Sequence, residues 1–331
     1  MTEAIGTPAF RAIAKTLLLQ VDHRWRLQQE AYRIAQSGGM LSYGGMGEHF
    51  GFQLVVGDCM VEQVRGVLKS DLDTWGIDYV QACEIALHNL GKLTDMVFVA
   101  HDLDGRPQCF ESIWKNGDHV ARALLADIYN LDLPGESIFI PIGHGKSFVV
   151  GDQTRFGMTV VINTLKQSEK EGYLMPPFGI DSQGLAWPPR SHPMYPMFKS
   201  MQYKYMAKIY EQQREVMLQR RSKSDDSFIA KFVLVSDKDN RHHSTATITD
   251  TGKVTLLPEV DKVIFYRYDL DSADGPEQVP ASFEQVPASF EQVLKVFATR
   301  INQTKDYPSR FAFQGFPSDS ELAQLKSMDD Y

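Results

Sequence analysis

The sequence predicts an α+β protein in three segments: a mixed α/β-layer domain over residues 1–190, a connecting helix and linker over 191–226, and a smaller antiparallel α+β domain over 227–331. Three observations carry this reading. β-rich runs alternate with helical periodicities along the first half, the pattern of layered packing. A proline-dense stretch from Tyr173 to Pro196 and the polar run "RRSKSDDS" bracket one long helical segment. Beyond them, four β-rich runs joined by short polar turns change the texture again.

In chain order, Phe10, Ile13, Leu17, Val21 and Trp25 recur at three and four residues, which predicts one helix from Pro8 to about Gln36, stopped at Gly38-Gly39. "SYGGMGEHFG" reads as loop, "FQLVVGD" as strand and "CMVEQVRGVL" as a short helix. Val80, Cys83, Leu87 and Leu90 set the face of a helix that Gly91 ends in left-handed conformation. "DMVFVAH" and "PQCFESIW" form a hairpin across Asp102–Arg106. Asp118 caps a helix whose face is Val120, Leu124, Ile128 and Leu131. "SIFIPI" and "SFVVGD" are strands, and "TRFGMTVVINTLKQSEKEG" is a helix packed through Phe156, Val160 and Leu165.

The prolines from Pro176 to Pro196 admit neither helix nor central strand, so they predict an extended connector packed through Phe178 and Trp187. A helix from about Met197 to Arg221 follows. "FIAKFVLVS", "HHSTATIT", "KVTLLP" and "KVIFYRYD" then predict an antiparallel meander, completed by a helix near Phe290–Asn302, a strand at "RFAFQGF" and a last helix after Pro317. Between them "EQVPASFEQVPASFEQV" repeats seven residues identically from Glu277. A proline in each copy excludes a coiled coil, and the repeat reads as an insertion in a surface loop, where added length costs little.

Composition narrows the function. Of 331 residues, 43% are hydrophobic and 23% charged, and the net charge of −8 opposes nucleic-acid binding, which needs a basic face. The basic helix end of Arg214, Arg220, Arg221 and Lys223 is the weak exception. No apolar window approaches the roughly 20 residues of a membrane span, and the start carries no signal-like core. Three scattered cysteines, Cys59, Cys83 and Cys109, form neither a disulfide framework nor a C-x-x-C pair, which places the expected setting in the cytoplasm.

The most suggestive motif is "IPIGHGKSFVVGD", whose Gly145-Lys146-Ser147 matches the end of a phosphate-binding loop. Such a loop needs glycine five residues before Gly145, where Ile140 stands, and a helix starting at the lysine. Phe148-Val149-Val150 instead continues a strand, so Gly143-His144-Gly145 predicts a turn, with no nucleotide cofactor. Metal is unsupported: the adjacent His242 and His243 point to opposite faces of a strand, and Asp269-Leu270-Asp271 lacks the glycine and the twelfth-position glutamate of a calcium loop. Ser147 lacks a nucleophile elbow, Cys83 is expected on the buried face of its helix as a small hydrophobe, and Cys109, in a strand, has no activating base beside it. A polar cluster of Asp118, His119, His144, Lys146, Asp152 and Arg155 is conceivable as an acid–base cleft, but it reads first as exposed turn residues and a helix cap, since nothing fixes these groups near one another.

The wording of "DTWGIDYVQACEIALHNLGKL", "GDHVARALL", "LPGESIFIPIGHGKSFVVGD" and "YLMPPFGIDSQGLAWPP" resembles the DUF1444 family of uncharacterised bacterial proteins, over roughly residues 54–189. Trp75, Gly76, Ala86, Asn89 and Leu90 match its first segment and Pro141 its strand end. Where that family carries an arginine–aspartate pair, this chain has Gly143-His144-Gly145-Lys146. The resemblance implies a soluble bacterial α+β protein and no reaction. With the failed catalytic patterns, it makes a non-enzymatic binding or adaptor protein the leading expectation. Its partner surface would be the Met201, Tyr205 and Ile209 stripe of the long helix. The alternative is a hydrolase with a cleft around Asp118, His119, His144 and Asp152.

Overall fold

The computed structural model describes residues 6–57, 64–114, 119–143, 145–171, 176–222, 224–236, 242–251, 253–268 and 283–328. The class is α+β, and the chain divides into two compact units, 1–202 and 203–331. The division falls within the long helix rather than on either side of it.

The predicted first helix is three elements. Helix α1 (Pro8–Ile13) passes through a 3₁₀ turn into strand β1 (Leu17–His23), and α2 (Arg24–Gln36) follows, capped by His23 Nδ1 accepting from Arg26 N at 3.2 Å. The three- and four-residue spacing misleads here because Leu17, Leu18 and Leu19 are all buried. Three consecutive buried side chains need cover on two faces, which a covered strand provides and a one-sided helix does not. "SYGGMGEHFG" is likewise no loop. Its glycines lie in and beside β2 (Tyr43–Met46), which pairs with β3 (Phe50–Val56), and the register sets Met46 against Phe50, both buried.

Of the short helix expected after β3, residues 58–63 lie outside the described residues, and Arg65–Gly66 pairs with β3 as β4. Helix α3 (Lys69–Trp75) ends at Gly76, whose φ of 67° gives the left-handed cap assigned in advance to Gly91. Helix α4 (Tyr79–Lys92) runs through Gly91. It buries Ala82, Ile85, Ala86 and Leu90, whereas Val80 is 64% exposed. The small alanines, not Val80, form the contact face, and Asn89 Nδ2 donates to the Ala14 and Leu17 carbonyls at 2.8 Å.

Strands β5 (Phe98–Leu103) and β6 (Arg106–Ser112) form the predicted hairpin, with Asp104 and Gly105 at φ 53° and 75°. The helix expected beyond Asp118 is two 3₁₀ turns, Val120–Leu124 and Ala126–Tyr129, and Asp118 lies outside the described residues. Arg122 is buried among the apolar residues there, its guanidinium 4.6 Å from the Trp114 ring centre. In the expected helix Arg122 would fall opposite the Val120, Leu124 and Ile128 face, toward solvent rather than into this packing.

Strands β7 (Ser137–Gly143) and β8 (Lys146–Gly151) are followed by helix α5 (Arg155–Lys170). That helix packs through Met158, Val161, Ile162 and Leu165 on Cys109, Ile138, Ile140, Phe148 and Val150, so its predicted face is displaced and Phe156 is exposed. The connector contributes the small hairpin of β9 (Gly179–Ile180) and β10 (Ala186–Trp187), and Phe178 and Trp187 are buried as expected. The sheet order is β10-β9-β7-β8-β6-β5.

Helix α6 (Tyr195–Arg220) buries Phe198 and Met201 in the first unit's core. In the second unit, the Tyr203 hydroxyl lies 2.6 and 2.7 Å from the Asp261 carboxylate oxygens, and the Tyr210 hydroxyl donates to Ser309 O at 2.9 Å.

The second unit is not a meander. Strands β11 (Phe228–Ile229), β14 (Thr255–Pro258), β18 (Arg310–Phe313) and β17 (Ile301–Gln303) form one sheet in that order. Strands β12 (Val233–Ser236), β13 (His242–Thr249), β15 (Lys262–Tyr268) and β16 (Phe283–Ser289) form the other. Because β14 leaves for the first sheet, β13 and β15 come together parallel, as do β11 and β14. Helices α7 (Phe290–Val296) and α8 (Asp319–Met328) complete a core of Ile248, Val263, Phe265, Val286, Phe313 and Leu325. The seven-residue repeat also departs from the loop reading: its second copy, Glu284–Phe290, is strand β16 and the first residue of α7, while residues 277–282 lie outside the described residues.

Candidate functional site

The β7–β8 connection settles the phosphate-loop question. Gly143 pairs with Lys146 across the turn, and Gly143 and Gly145 have φ of 109° and 71°, so glycine is required for the chain to reverse there. His144 lies outside the described residues. Lys146 opens a strand rather than a helix, so no array of first-turn amides stands beside it to hold an anion. Its Nζ lies 2.9 Å from Glu111 Oε1, and His101 Nε2 lies 3.2 Å from Glu111 Oε2. Partial burial pushes the Glu111 carboxyl upward, but the bonds from Lys146 and then His101 outweigh it and hold the group below the usual carboxylate range.

Asp152 has a different set of partners. Oδ1 accepts from Glu136 N at 2.9 Å, and Oδ2 lies 3.5 Å from His192 Nε2. His192 Nδ1 accepts from Met194 N at 3.2 Å, so the neutral ring carries its proton on Nε2, facing Asp152. A general base needs an open lone pair, and the one this imidazole has is occupied by backbone. The pair therefore ties the connector, where the Trp187 ring also meets His192 at 4.9 Å between centres, to the start of α5. Arg155 is exposed at the first position of that helix, behind the Thr154 cap. His119 is buried beside the first 3₁₀ turn. Of the six sequence candidates, Lys146 and Asp152 thus belong to separate bonded groups, each completed by residues the sequence did not single out: Glu111 with His101, and His192.

The other sequence candidates also resolve into packing. Cys109 is fully buried, and burial, then Glu111, pushes its thiol up to about 12; burial also raises Cys83, which is half-buried rather than on the packed face. Both shifts oppose formation of the thiolate that nucleophilic chemistry needs. Cys59 and the acidic turn at Asp269–Asp271 lie outside the described residues. Among the described residues no group of three or more His, Cys, Asp and Glu side chains could hold a metal ion. Met201, Tyr205 and Ile209 are buried within the chain. At the basic helix end, Arg214 pairs with Glu211 at 3.1 Å and Arg221 donates to the Asp225 and Ser227 carbonyls, while Lys223 lies outside the described residues. No described helix is long and apolar enough to cross a membrane.

A cleft of about 610 Å³ opens where no motif pointed. The segment leading into β2 forms one wall, zipped to the start of α3 by Lys69 N donating to Met40 O and Ser42 N to Val67 O, both at 2.9 Å. The left-handed turn at Gly76 swings the chain from α3 to α4 and leaves Leu72, Ile77 and Tyr79 as the other wall. The lining is largely apolar, with Leu41 and Ile77 buried and Met40 62% exposed at the rim. Lys69, Asp73 and Asp78 supply charge, although Asp78 Oδ1 already accepts from Gln81 N at 2.8 Å as the α4 cap. The Tyr79 ring lies parallel to Phe52, 6.5 Å away, and burial, then Cys83, raises its phenol above the usual range. Compared with protein-family models, curated proteins and solved structures, the chain matches none.

Proposed function

We propose that the protein is a non-enzymatic binding protein that takes a small amphipathic ligand into the cleft between the β2 approach and the α3–α4 corner. The observation that carries this reading is the cleft itself. At about 610 Å³ it falls within the size range of small-molecule sites, and its wall is apolar with a few charges at one side. Leu41, Leu72 and Ile77 would cover the apolar body of the ligand, and Lys69 and Asp73 would meet its polar end. The hydrolase reading has less support. Asp152 and His192 are spent on one another and on backbone, and Lys146 on Glu111. A bacterial, cytoplasmic setting and membership of the DUF1444 family accompany the binding reading as proposals resting on the sequence.

The test is methyl NMR on chain labelled at Met, Ile and Leu, titrated with a library of amphipathic fragments. Saturable shifts at Met40, Leu41, Leu72 and Ile77 are expected, and Met40→Trp, which crowds the exposed rim of the cleft, should weaken those at Leu41, Leu72 and Ile77 with the melting temperature unchanged. Saturable binding confined to other methyls, or turnover of a hydrolase substrate by the purified chain, would overturn the reading.

A further inference from the structure

The free edges of the four sheets are protected unequally. An open edge strand offers unpaired backbone N–H and C=O groups to any other strand, and natural proteins shorten, cover or interrupt such edges. Here β2, β4, β10, β11, β12 and β17 are two to four residues long. Strand β1 is longer, but it is largely buried and Asn89 caps its Leu17 carbonyl. Strand β16 carries Pro287 within its seven residues.

Among the described residues strand β5 has none of these devices. It ends the six-stranded sheet, holds six residues without proline, lysine or arginine, and pairs only with β6 among the described residues. The bulge in that pairing places the extra residue, Gln108, on β6, so β5 itself runs uninterrupted. Its approach and its length leave apolar side chains in solvent: Val97 is 53% exposed, Val99 51% and Leu103 45%.

We propose that β5 pairs antiparallel with the β5 of a second copy of this chain, joining two six-stranded sheets into one. The occupant must be a strand, because unpaired edge backbone is satisfied best by another strand's backbone. A second copy fits because the segment is self-complementary about Ala100. With Ala100 on the two-fold axis, Val97 of each copy faces Leu103 of the other, Val99 faces His101, and Phe98 faces Asp102. No like charges meet, and the exposed apolar pair Val97 and Leu103 is covered by its own counterpart. The dimer leaves the cleft untouched and does not depend on it.

The test is light scattering on size-exclusion eluates of the full chain at tens of micromolar. Wild type is expected at twice the chain mass. V97K/L103K places lysine opposite lysine across the axis and should elute as a monomer, while V97K/L103E places lysine opposite glutamate and should restore the dimer. Both variants alter exposed side chains, so their circular dichroism should match wild type, and so should their melting at dilutions where wild type is itself monomeric. A wild-type chain that stays monomeric, a V97K/L103K variant that stays dimeric, or a V97K/L103E variant that does not recover would each overturn the proposal.

Discussion

Arg310 offers a demanding test of how the second unit is held. Its side chain is buried, and its donors are spent on oxygens of the same unit: Nε on Gln213 Oε1 at 2.7 Å, Nη1 on the Ala230 and Leu256 carbonyls at 2.8 and 3.0 Å, and Nη2 on the Tyr210 carbonyl at 3.2 Å. The guanidinium also lies 5.3 Å from the Tyr210 ring centre. Burial pushes its pKa down to about 10, which corresponds to a cost of roughly 3 kcal/mol for keeping the charge. Arg310→Ala removes that cost but strands two acceptors, Gln213 Oε1 and the Ala230 carbonyl, each worth about 1–3 kcal/mol when left dry, and opens a cavity in place of the long side chain; the Leu256 carbonyl still accepts from Ala230 N, and the Tyr210 carbonyl lies inside α6. At about 1.5 kcal/mol for each acceptor and about 3 kcal/mol for the cavity the loss is roughly 6 kcal/mol, for a net destabilisation of about 3 kcal/mol. All four tryptophans, Trp25, Trp75, Trp114 and Trp187, belong to the first unit, so fluorescence follows that unit while far-UV circular dichroism follows both. In urea the dichroism transition should move down by about 1.5 M at a slope near 2 kcal/mol/M. A dichroism transition within about 0.5 M of wild type would refute the reasoning, since the buried acceptors would then be satisfied without the arginine.

Two further predictions concern the first unit's acid sensitivity and the repeat. His49 is buried and stacked on Phe178 at 3.6 Å between ring centres, and burial, then Arg24, lowers its pKa to about 3. The unfolded chain takes up this proton near pH 6.5 and the folded chain only near pH 3, so stability is lost as pH falls through that window, by about 2 kcal/mol at pH 5. His49→Phe should remove that share of the slope in urea melts followed by tryptophan, leaving the part due to His23, which burial also lowers; an unchanged slope contradicts the assignment. Deleting residues 276–282 keeps Phe283 at the start of β16, shortens the β15–β16 connection from residues 269–282 by half, and should stabilise the second unit by about 0.6 kcal/mol. A loss above about 2 kcal/mol in the dichroism transition would show that both copies are needed.

The sequence disclosed the elements whose signals are local. The hairpin at Asp104-Gly105 and the turn at Gly143–Gly145 follow from residues that tolerate positive φ, and α5 and α6 follow from length and periodicity. What it hid depends on distant partners. Leu17–His23 becomes a strand because β3 lies alongside it and α4 covers it, and helical spacing within the segment carries no trace of either. The parallel pairing of β13 with β15 depends on β14 crossing to another sheet. The site was least legible of all. Asp152 meets His192, forty positions away, and the cleft is assembled from residues near 40 and near 70–79, none of which belongs to a motif.

The repeat shows how one residue can make such a fold unique. The identity runs further than two heptads, since Phe283–Phe290 reads FEQVPASF and Phe290–Phe297 reads FEQVLKVF. If the chain slipped by seven residues, Val279, Ala281, Phe283, Val286 and Phe290 would occupy the core places of Val286, Ala288, Phe290, Val293 and Phe297 without changing one of those side chains. Packing at these five buried places therefore cannot choose between the registers; slippage tells only at the partly buried Leu294 and Val296, whose places would go to Pro287 and Ser289. The larger penalty comes from Pro287, which in the slipped chain would stand where Leu294 stands, at the fifth position of α7. There proline removes the N–H that closes the first turn and collides with the preceding turn, at a cost of about 3 kcal/mol. That penalty keeps the slipped form below roughly one molecule in a hundred. In the observed register the same proline sits on an edge strand, where a missing N–H is tolerated and where it also denies the edge to a foreign strand. Pro287 thus selects the register and guards the edge, the protection that β5 lacks.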